Sequence, residues 1–433
     1  MHRLLLRNIA AVMMVVASTV INADNRVIHA GMLLAVPGEK PLTAHTIVVK
    51  DGKIVDLLQG YADAHQFGSN AKLIDLKDSF VLPGLMDAHV HLQIDFGPKM
   101  AVDKLKMSSQ LAQMRSAHHA KNTLLAGFTT VRDTGPVEGA QEMYALRDAI
   151  AKGWLDGPRI IASEIIVVTG GHRGEIAMRH DFKDLLDSKG DNTCDGPYDC
   201  RRVARKAITY GADWVKISAT GGVATERATG TGQQMDSDEI REIVNASHRM
   251  GRKVTAHAHQ EDGIIAALEA GVDCIEHGSF AGPRSIKLFK KTGAYLVPTL
   301  LAGHLLGEMA AKNDTLPAPI REKARKVGSQ MMKNFAKLHK AGVKLAYGTD
   351  TAMMHGINAR EAVLMHRAGM SEMEIIKTAT INTAELLDLS DSLGTIEVGK
   401  EADIIATDAS PLKNIEELLD VDFVMKAGKV YKH

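Results

Sequence analysis

The stretch VTAHAHQEDGIIAALEAGVDCIEHG, residues 254–278, decides the reading of the fold. Val254-Thr255-Ala256 is a short β-prone run that ends on His257. Asp262 to Ala270 follows with helical spacing of its apolar residues. Val272 to Glu276 is a second apolar run and ends on His277. Strand, helix and strand in such close order make a βαβ unit, the building block of parallel sheets. In both strands a histidine stands at the C-terminal end.

The same alternation continues in both directions, from about Gly84 to Leu389. Thr129-Thr130-Val131 precedes a helix near Glu142 to Ala151. Arg159 to Ile166 reads as a strand, Asp199 to Tyr210 as a helix and Trp214 to Ile217 as a strand. Ser237 to Met250 reads as a helix, with Ser237 as its N-cap and Ile240, Ile243 and Val244 on one face. Tyr295 to Pro298, a long helix from about Ile320 to Ala341, and Lys344 to Tyr347 complete the series. Counting the strand that ends at Asp87 as the first gives eight β/α units. This predicts an α/β fold closed as a (β/α)8 TIM barrel.

The two ends of the chain read differently. Val27–Leu34, His45–Val49, Lys53–Leu58 behind the turn signal Asp51-Gly52, Ala71–Leu76 and Phe80–Leu82 are short β runs. Asp403–Thr407, Val421–Ala427 and Val430–Tyr431 match them at the far end. They predict a small β-sandwich domain formed by residues 24–83 and 390–433, with the barrel over 84–389.

Residues 1–23 read as an export signal. His2, Arg3 and Arg7 supply the positive start, Ile9 to Val20 the apolar run, and Ile21-Asn22-Ala23 a small-residue cleavage site, with Val16-Ala17-Ser18 as an earlier option. An uncleaved anchor is the alternative, although the run is short of the roughly 20 residues of a comfortable span. The expected mature chain starts near Asp24 and is exported, periplasmic or secreted, with no stable membrane insertion. Cys194 and Cys200 bracket a turn-rich stretch and read either as a local disulfide or as two free thiols; Cys274 reads as a buried thiol.

The 433 residues carry 52 Lys plus Arg against 52 Asp plus Glu, a formal net charge of zero. No basic excess points to a nucleic-acid partner. Histidine stands out instead: 19, against 9 Phe, 7 Tyr and 2 Trp. Histidine is the commonest metal ligand. His89-Val90-His91 follows the apolar run Phe80 to Met86, and residues i and i+2 of a strand share a face. Lys216 lies inside the apolar strand Trp214-Val215-Lys216-Ile217, where an unpaired charge is costly. Asp350 ends Leu345-Ala346-Tyr347-Gly348-Thr349. These residues, with His257 and His277, all fall at C-terminal ends of barrel strands, where such barrels carry their active sites.

The whole set resembles the amidohydrolase superfamily over nearly all of the mature chain. The carrying segments are His89-Val90-His91, Ala126 to Asp133, Gly211 to Ile217, Gly221-Gly222-Val223, Ala256 to His259, Ile275 to Gly278, Tyr347 to Asp350 and Gly394 to Asp403. Within the superfamily the chain is similar to prolidase-like, binuclear-metal dipeptidases of Xaa-Pro and Xaa-Arg type, and to the group that hydrolyses ochratoxin. The resemblance implies two divalent ions, zinc first, and a CO₂-derived carbamate on Lys216 that bridges them. His89, His91 and Asp350 would hold one ion; His257 and His277 would hold the other. A metal-bridging hydroxide would attack the amide, and Asp350 would carry its proton to the leaving nitrogen.

The implied partner is a small molecule ending in an amino acid, cleaved before that residue. N-acyl amino acids such as ochratoxin A, which would release phenylalanine, are the alternative substrates, followed by cyclic amides or imidazolones. A non-catalytic binding barrel is a separate class, marked by loss of ligands, and all six are present here. A homo-oligomer is compatible with this reading. His259 is expected to orient a ligand or to replace His257. His172 and Arg173 in Thr169 to Gly174, and Arg227, could bind a carboxylate, arginine bidentately. Gly222 and Val223 offer close backbone approach. His304 and His355 follow the seventh and eighth strands as further substrate contacts.

Overall fold

The structure, a computed structural model, describes residues 25–97, 100–135, 140–172, 192–225, 230–312 and 316–433. The expected signal segment, Arg173 and Arg227 lie outside the described residues.

Among the described residues fifteen strands fall into two sheets: β1 Arg26–Leu33, β2 Leu42–Lys50, β3 Lys53–Gln59, β4 Lys72–Pro83, β5 Leu85–Val90, β6 Phe128–Asp133, β7 Arg159–Val168, β8 Thr193–Cys194, β9 Trp214–Ser218, β10 Lys253–Ala258, β11 Cys274–His277, β12 Tyr295–Val297, β13 Ile404–Thr407, β14 Phe423–Lys426 and β15 Lys429–Lys432. The barrel sheet runs β5-β6-β7-β9-β10-β11-β12, all neighbours parallel, with β8 as a short spur on β7. The segment Leu345 to Thr351 takes the eighth position. Leu345 bridges Leu296 on β12, and Thr351 bridges Val90 on β5. Asp350 N–H donates to His89 O at 2.7 Å and Ala88 N–H to Tyr347 O at 2.8 Å, so the ring is nearly closed.

The strands are buried on both faces because helices cover the outside. The helix Ser237–Arg249 buries Ile240, Ile243 and Val244, the face its 3.6 spacing dictates. Its cap is Asp236 rather than Ser237. The Glu239 side chain accepts the Asp236 N–H at 2.8 Å, a capping box that seats the helix one residue earlier than expected.

The terminal strands make one seven-stranded mixed sheet, ordered β15-β14-β13-β4-β1-β2-β3. This is the expected small β-domain of the two chain ends, its strands joined in one hydrogen-bonded order. Ile28, Leu33, Ile47, Val81, Ile404, Phe423 and Met425 form its core. β4 leads through Gly84 straight into the first barrel strand. A Cβ at Gly84 would collide with Thr129 on β6, so only glycine lets the chain cross there. Arg159 pairs with Asp403 at 3.1 Å and Lys426 donates to Gly157 O, tying this sheet to the barrel.

Cys194 and Cys200 form a disulfide, and Cys274 is a buried thiol. Among the described residues no helix is long and apolar enough to cross a membrane.

Candidate metal centre

His89 on β5 and His91 just beyond it point to the same side, as their i, i+2 spacing requires. Their Nε2 atoms reach Asp350 Oδ1 at 3.4 and 3.2 Å. On the opposite rim, His277 Nε2 lies 2.8 Å from His257 Nδ1. His259 stacks on His277, with ring centres 4.8 Å apart. Among the described residues two triads result, His89–His277–Asp350 and His257–His259–His277, each with ligand atoms within 4.8 Å of one another. His277 belongs to both. Sequence reasoning placed His89 and His91 together with Asp350, and the geometry adds His277 to that side and His259 to the other.

The second nitrogen of most rings is already committed. His89 Nδ1–H donates to Glu276 Oε2 at 2.7 Å and His91 Nδ1–H to Gly135 O at 3.0 Å. His277 Nδ1 pairs with Thr299 Oγ1 at 2.6 Å and His259 Nδ1 with Ser279 Oγ at 2.7 Å. Fixing one nitrogen sets the tautomer and aims the other, as metal-ligating imidazoles require.

Lys216 on β9 is only 3% exposed. Burial and the Lys216 charge both work against protonation of the surrounding rings. His89 and His259 are each pushed down to about 4, by burial first. His257 and His277 fall well below the ordinary histidine range for the same leading reason. Asp350 and Glu276 stay ionised despite burial. His89 and His91 hold Asp350 well below the usual carboxylate range, and Arg132 and His89 do so for Glu276. Neutral imidazoles beside an ionised carboxylate form a donor set suited to divalent cations.

The backbone is bent to present these groups. His277, Thr299 and Asp350 have φ of 71°, 52° and 53°, the left-handed region that non-glycine residues avoid. All three stand at rim positions, and strain held at such places marks function.

Glu276 was not singled out from sequence, although a carboxylate inside an apolar strand is the same anomaly that exposed Lys216. It accepts from His89, from Arg132 Nη2 at 2.5 Å and from Thr255 Oγ1. Arg132 is fully buried, donates to Ala88 O at 2.7 Å and stacks on Trp214. Asp87 supports the other side: it accepts from Thr349 Oγ1 and Asn358 Nδ2, both at 2.7 Å, and so fixes the turn before Asp350.

The expected substrate contacts divide. The His172 ring lies 4.5 Å from that of His257. Its backbone N–H donates to Gln234 Oε1 at 2.7 Å. A Cβ on Gly222 would come within 2.1 Å of the His172 ring, which explains glycine there. Val223 is buried in the adjoining turn, which Thr225 Oγ1 closes onto Gly222 O at 3.1 Å. His304 sits on a helix that sequence reasoning missed, Leu300–Lys312, and faces Glu308 at 3.4 Å. His355 does not join the cluster. It stacks on His119 with centres 3.9 Å apart, and its Nε2–H donates to Ile94 O at 2.9 Å, because the chain turns back after the eighth strand.

Comparison with known proteins agrees with this geometry. The chain is 29% identical to the ochratoxinase of Aspergillus niger, over 97% of this chain and 89% of that one. It is 36% identical to a Xaa-Pro dipeptidase whose crystal structure holds methionine in the active site, with a TM-score of 0.88 over 95% of this chain and 100% of the other. A prolidase complexed with N-methylphosphonate-L-proline superposes with a TM-score of 0.83 at 30% identity, over 94% and 100% of the two chains. The Amidohydrolase family model matches residues 80–431. With its rim of histidines, the chain belongs to the amidohydrolase family and is a hydrolase of C–N bonds.

Proposed function

We propose that this chain is an exported enzyme that hydrolyses the amide bond before a C-terminal amino acid, using two divalent ions and a carbamate on Lys216. The observation that carries the reading is Lys216 itself. A buried ammonium among four imidazoles repels the very cations the donor set suits. A neutral Nζ that bonds to the carbon of CO₂ and releases one proton becomes an anion, and the conflict disappears. The ions, zinc first, would supply Lewis acidity and make water a nucleophile near neutral pH. His89, His91 and Asp350 would hold one, and His257 and His277 the other, with His259 beside them. Asp350, which touches both His89 and His91, would take a proton from the attacking water and pass it to the leaving nitrogen. His172 on Gly222 lies next to His257 and would contact the scissile end of the substrate.

Similarity to a Xaa-Pro dipeptidase and to prolidase supports dipeptides as substrates. Similarity to ochratoxinase over 97% of the chain supports a second substrate class, N-acyl amino acids. The Cys194–Cys200 disulfide fits an oxidising compartment, in keeping with export.

The deciding experiment is a library of Xaa-Xaa dipeptides and N-acyl amino acids, scored for released amino acid, run beside metal analysis of the purified protein. Cleavage together with close to two ions per chain is expected. Absence of metal sinks the mechanism, and a loaded enzyme that cleaves nothing in the library moves cyclic amides ahead.

A further inference from the structure

Thr299 stands directly before the helix Leu300–Lys312, where a threonine hydroxyl ordinarily accepts an N–H of the first helical turn. Here the hydroxyl is turned to another partner. As a ligand through Nε2, His277 carries its proton on Nδ1 and donates it to Thr299 Oγ1 at 2.6 Å. Thr299, Leu300 and Leu301 are all buried, so the first N–H groups of the helix cannot turn to water instead.

Glu361 stands in for the missing cap. It comes from the helix Arg360–Arg367 and is fully buried. One carboxylate oxygen accepts Leu300 N–H at 2.8 Å and the other accepts Leu301 N–H at 2.6 Å. The segment that carries Glu361 is itself fastened. Tyr347 Oη donates to Asn358 O at 2.7 Å and accepts Ala362 N–H at 3.0 Å. Asn358 Nδ2 donates to Asp87 Oδ2 at 2.7 Å. Glu361 is thereby a fixed point against which the turn at Thr299, with its φ of 52°, is held. Without its two bonds, Thr299 gains an alternative: a favoured backbone conformation in which its own hydroxyl caps the helix. The hydroxyl then points along that helix and away from His277.

We propose that Glu361 is a positioning residue for the metal centre: by capping the helix in place of Thr299, it leaves the threonine hydroxyl to hold His277, the ring shared by both triads. This rests on the reading of His277 as a metal ligand and is independent of the substrate.

The test is a chelator competition on the zinc-loaded protein, comparing the unaltered chain with Glu361→Gln, Thr299→Val, Thr299→Ser and the double variant of the first two. Glutamine keeps the size of the side chain but offers one acceptor oxygen for two N–H groups. Glu361→Gln and Thr299→Val should each weaken zinc binding by about 10- to 100-fold. Thr299→Ser keeps the hydroxyl and should bind as the unaltered protein does. The double variant should bind about as the weaker single one does, because both changes act through one hydroxyl. Losses that multiply in the double variant would make Glu361 a fastener of the fold and overturn the proposal. Unchanged zinc affinity in Glu361→Gln or in Thr299→Val would overturn it too. Should Glu361→Gln fold poorly, Glu361→Asp, with its charge on a shorter arm, takes its place in the same cycle with the same outcomes. An unaltered protein that takes up no zinc takes down the metal reading itself, whereas multiplying losses take down Glu361 alone.

Discussion

Glu276 and His89 stand 187 residues apart in sequence and meet through a 2.7 Å hydrogen bond in which the carboxylate takes the Nδ1 proton. The same carboxylate neutralises Arg132. Glu276 therefore aims one ligand and balances one buried guanidinium. Glu276→Gln should weaken metal binding by about 10- to 100-fold, the usual effect of losing a partner that orients a ligand. It should also destabilise the fold by about 3 kcal/mol, because Arg132 would be left buried without its counter-charge. Chelator titration and denaturant unfolding read the two effects separately.

Lys216→Ala should bring turnover to background and lower the metal content. Metal loading in ¹³C-bicarbonate should give the unaltered protein a carbamate carbon resonance that the variant lacks. Turnover retained by Lys216→Ala would refute the bridging role.

Gly222→Ala places a methyl group where the His172 ring lies. The ring must move, while His89, His91 and Asp350 are untouched. A loss of roughly 100-fold in kcat/KM at unchanged metal content is expected, the scale of a misplacement of about 1 Å. Metal loss in this variant would show that the loop supports the ions rather than the substrate.

The stacked pair His119–His355 makes the fold acid-sensitive. Burial, then the neighbouring His119, pushes His355 down to about 3. The unfolded chain takes up this proton near the ordinary histidine value, about 6.5, and the folded chain only near the lower one. The contribution is fully present above about pH 6.5 and is lost as pH falls towards 3, by up to about 1.4 kcal/mol per pH unit. His355→Phe keeps a ring against His119 and should flatten the decline of stability between pH 6.5 and 4. Equal slopes for the two proteins in denaturant titrations would assign the acid sensitivity elsewhere.

The sequence displays some of this plainly and hides the rest for physical reasons. Alternating periods of 2 and 3.6 residues are local, so the barrel could be counted. Lys216 and the pair His89, His91 were legible as a charge in an apolar strand and as two rings on one face. The ties that aim the rings were not. Glu276 reaches His89, and Thr299 reaches His277, only once the barrel closes. His355 misled because strand order tells where a chain leaves the rim and not which way it then turns. The helix Leu300–Lys312 was missed because it starts directly behind Pro298 in an apolar run. Its first N–H groups are satisfied by Glu361, a carboxylate some sixty residues later.

β4, which feeds the first barrel strand, is paired on one side with β13: Leu82 lies opposite Ile405, and Gly84 N–H donates to Asp403 O at 2.9 Å. On a ribosome the two partners emerge at opposite ends of synthesis. Until the last strands appear, the apolar edge Phe80 to Leu82 has no neighbour and can recruit other nascent chains. The turn at Gly84 that leads into the strand carrying His89 lacks its bond to Asp403 for as long. Loss of the final strands is therefore expected to weaken a centre to which they contribute no ligand.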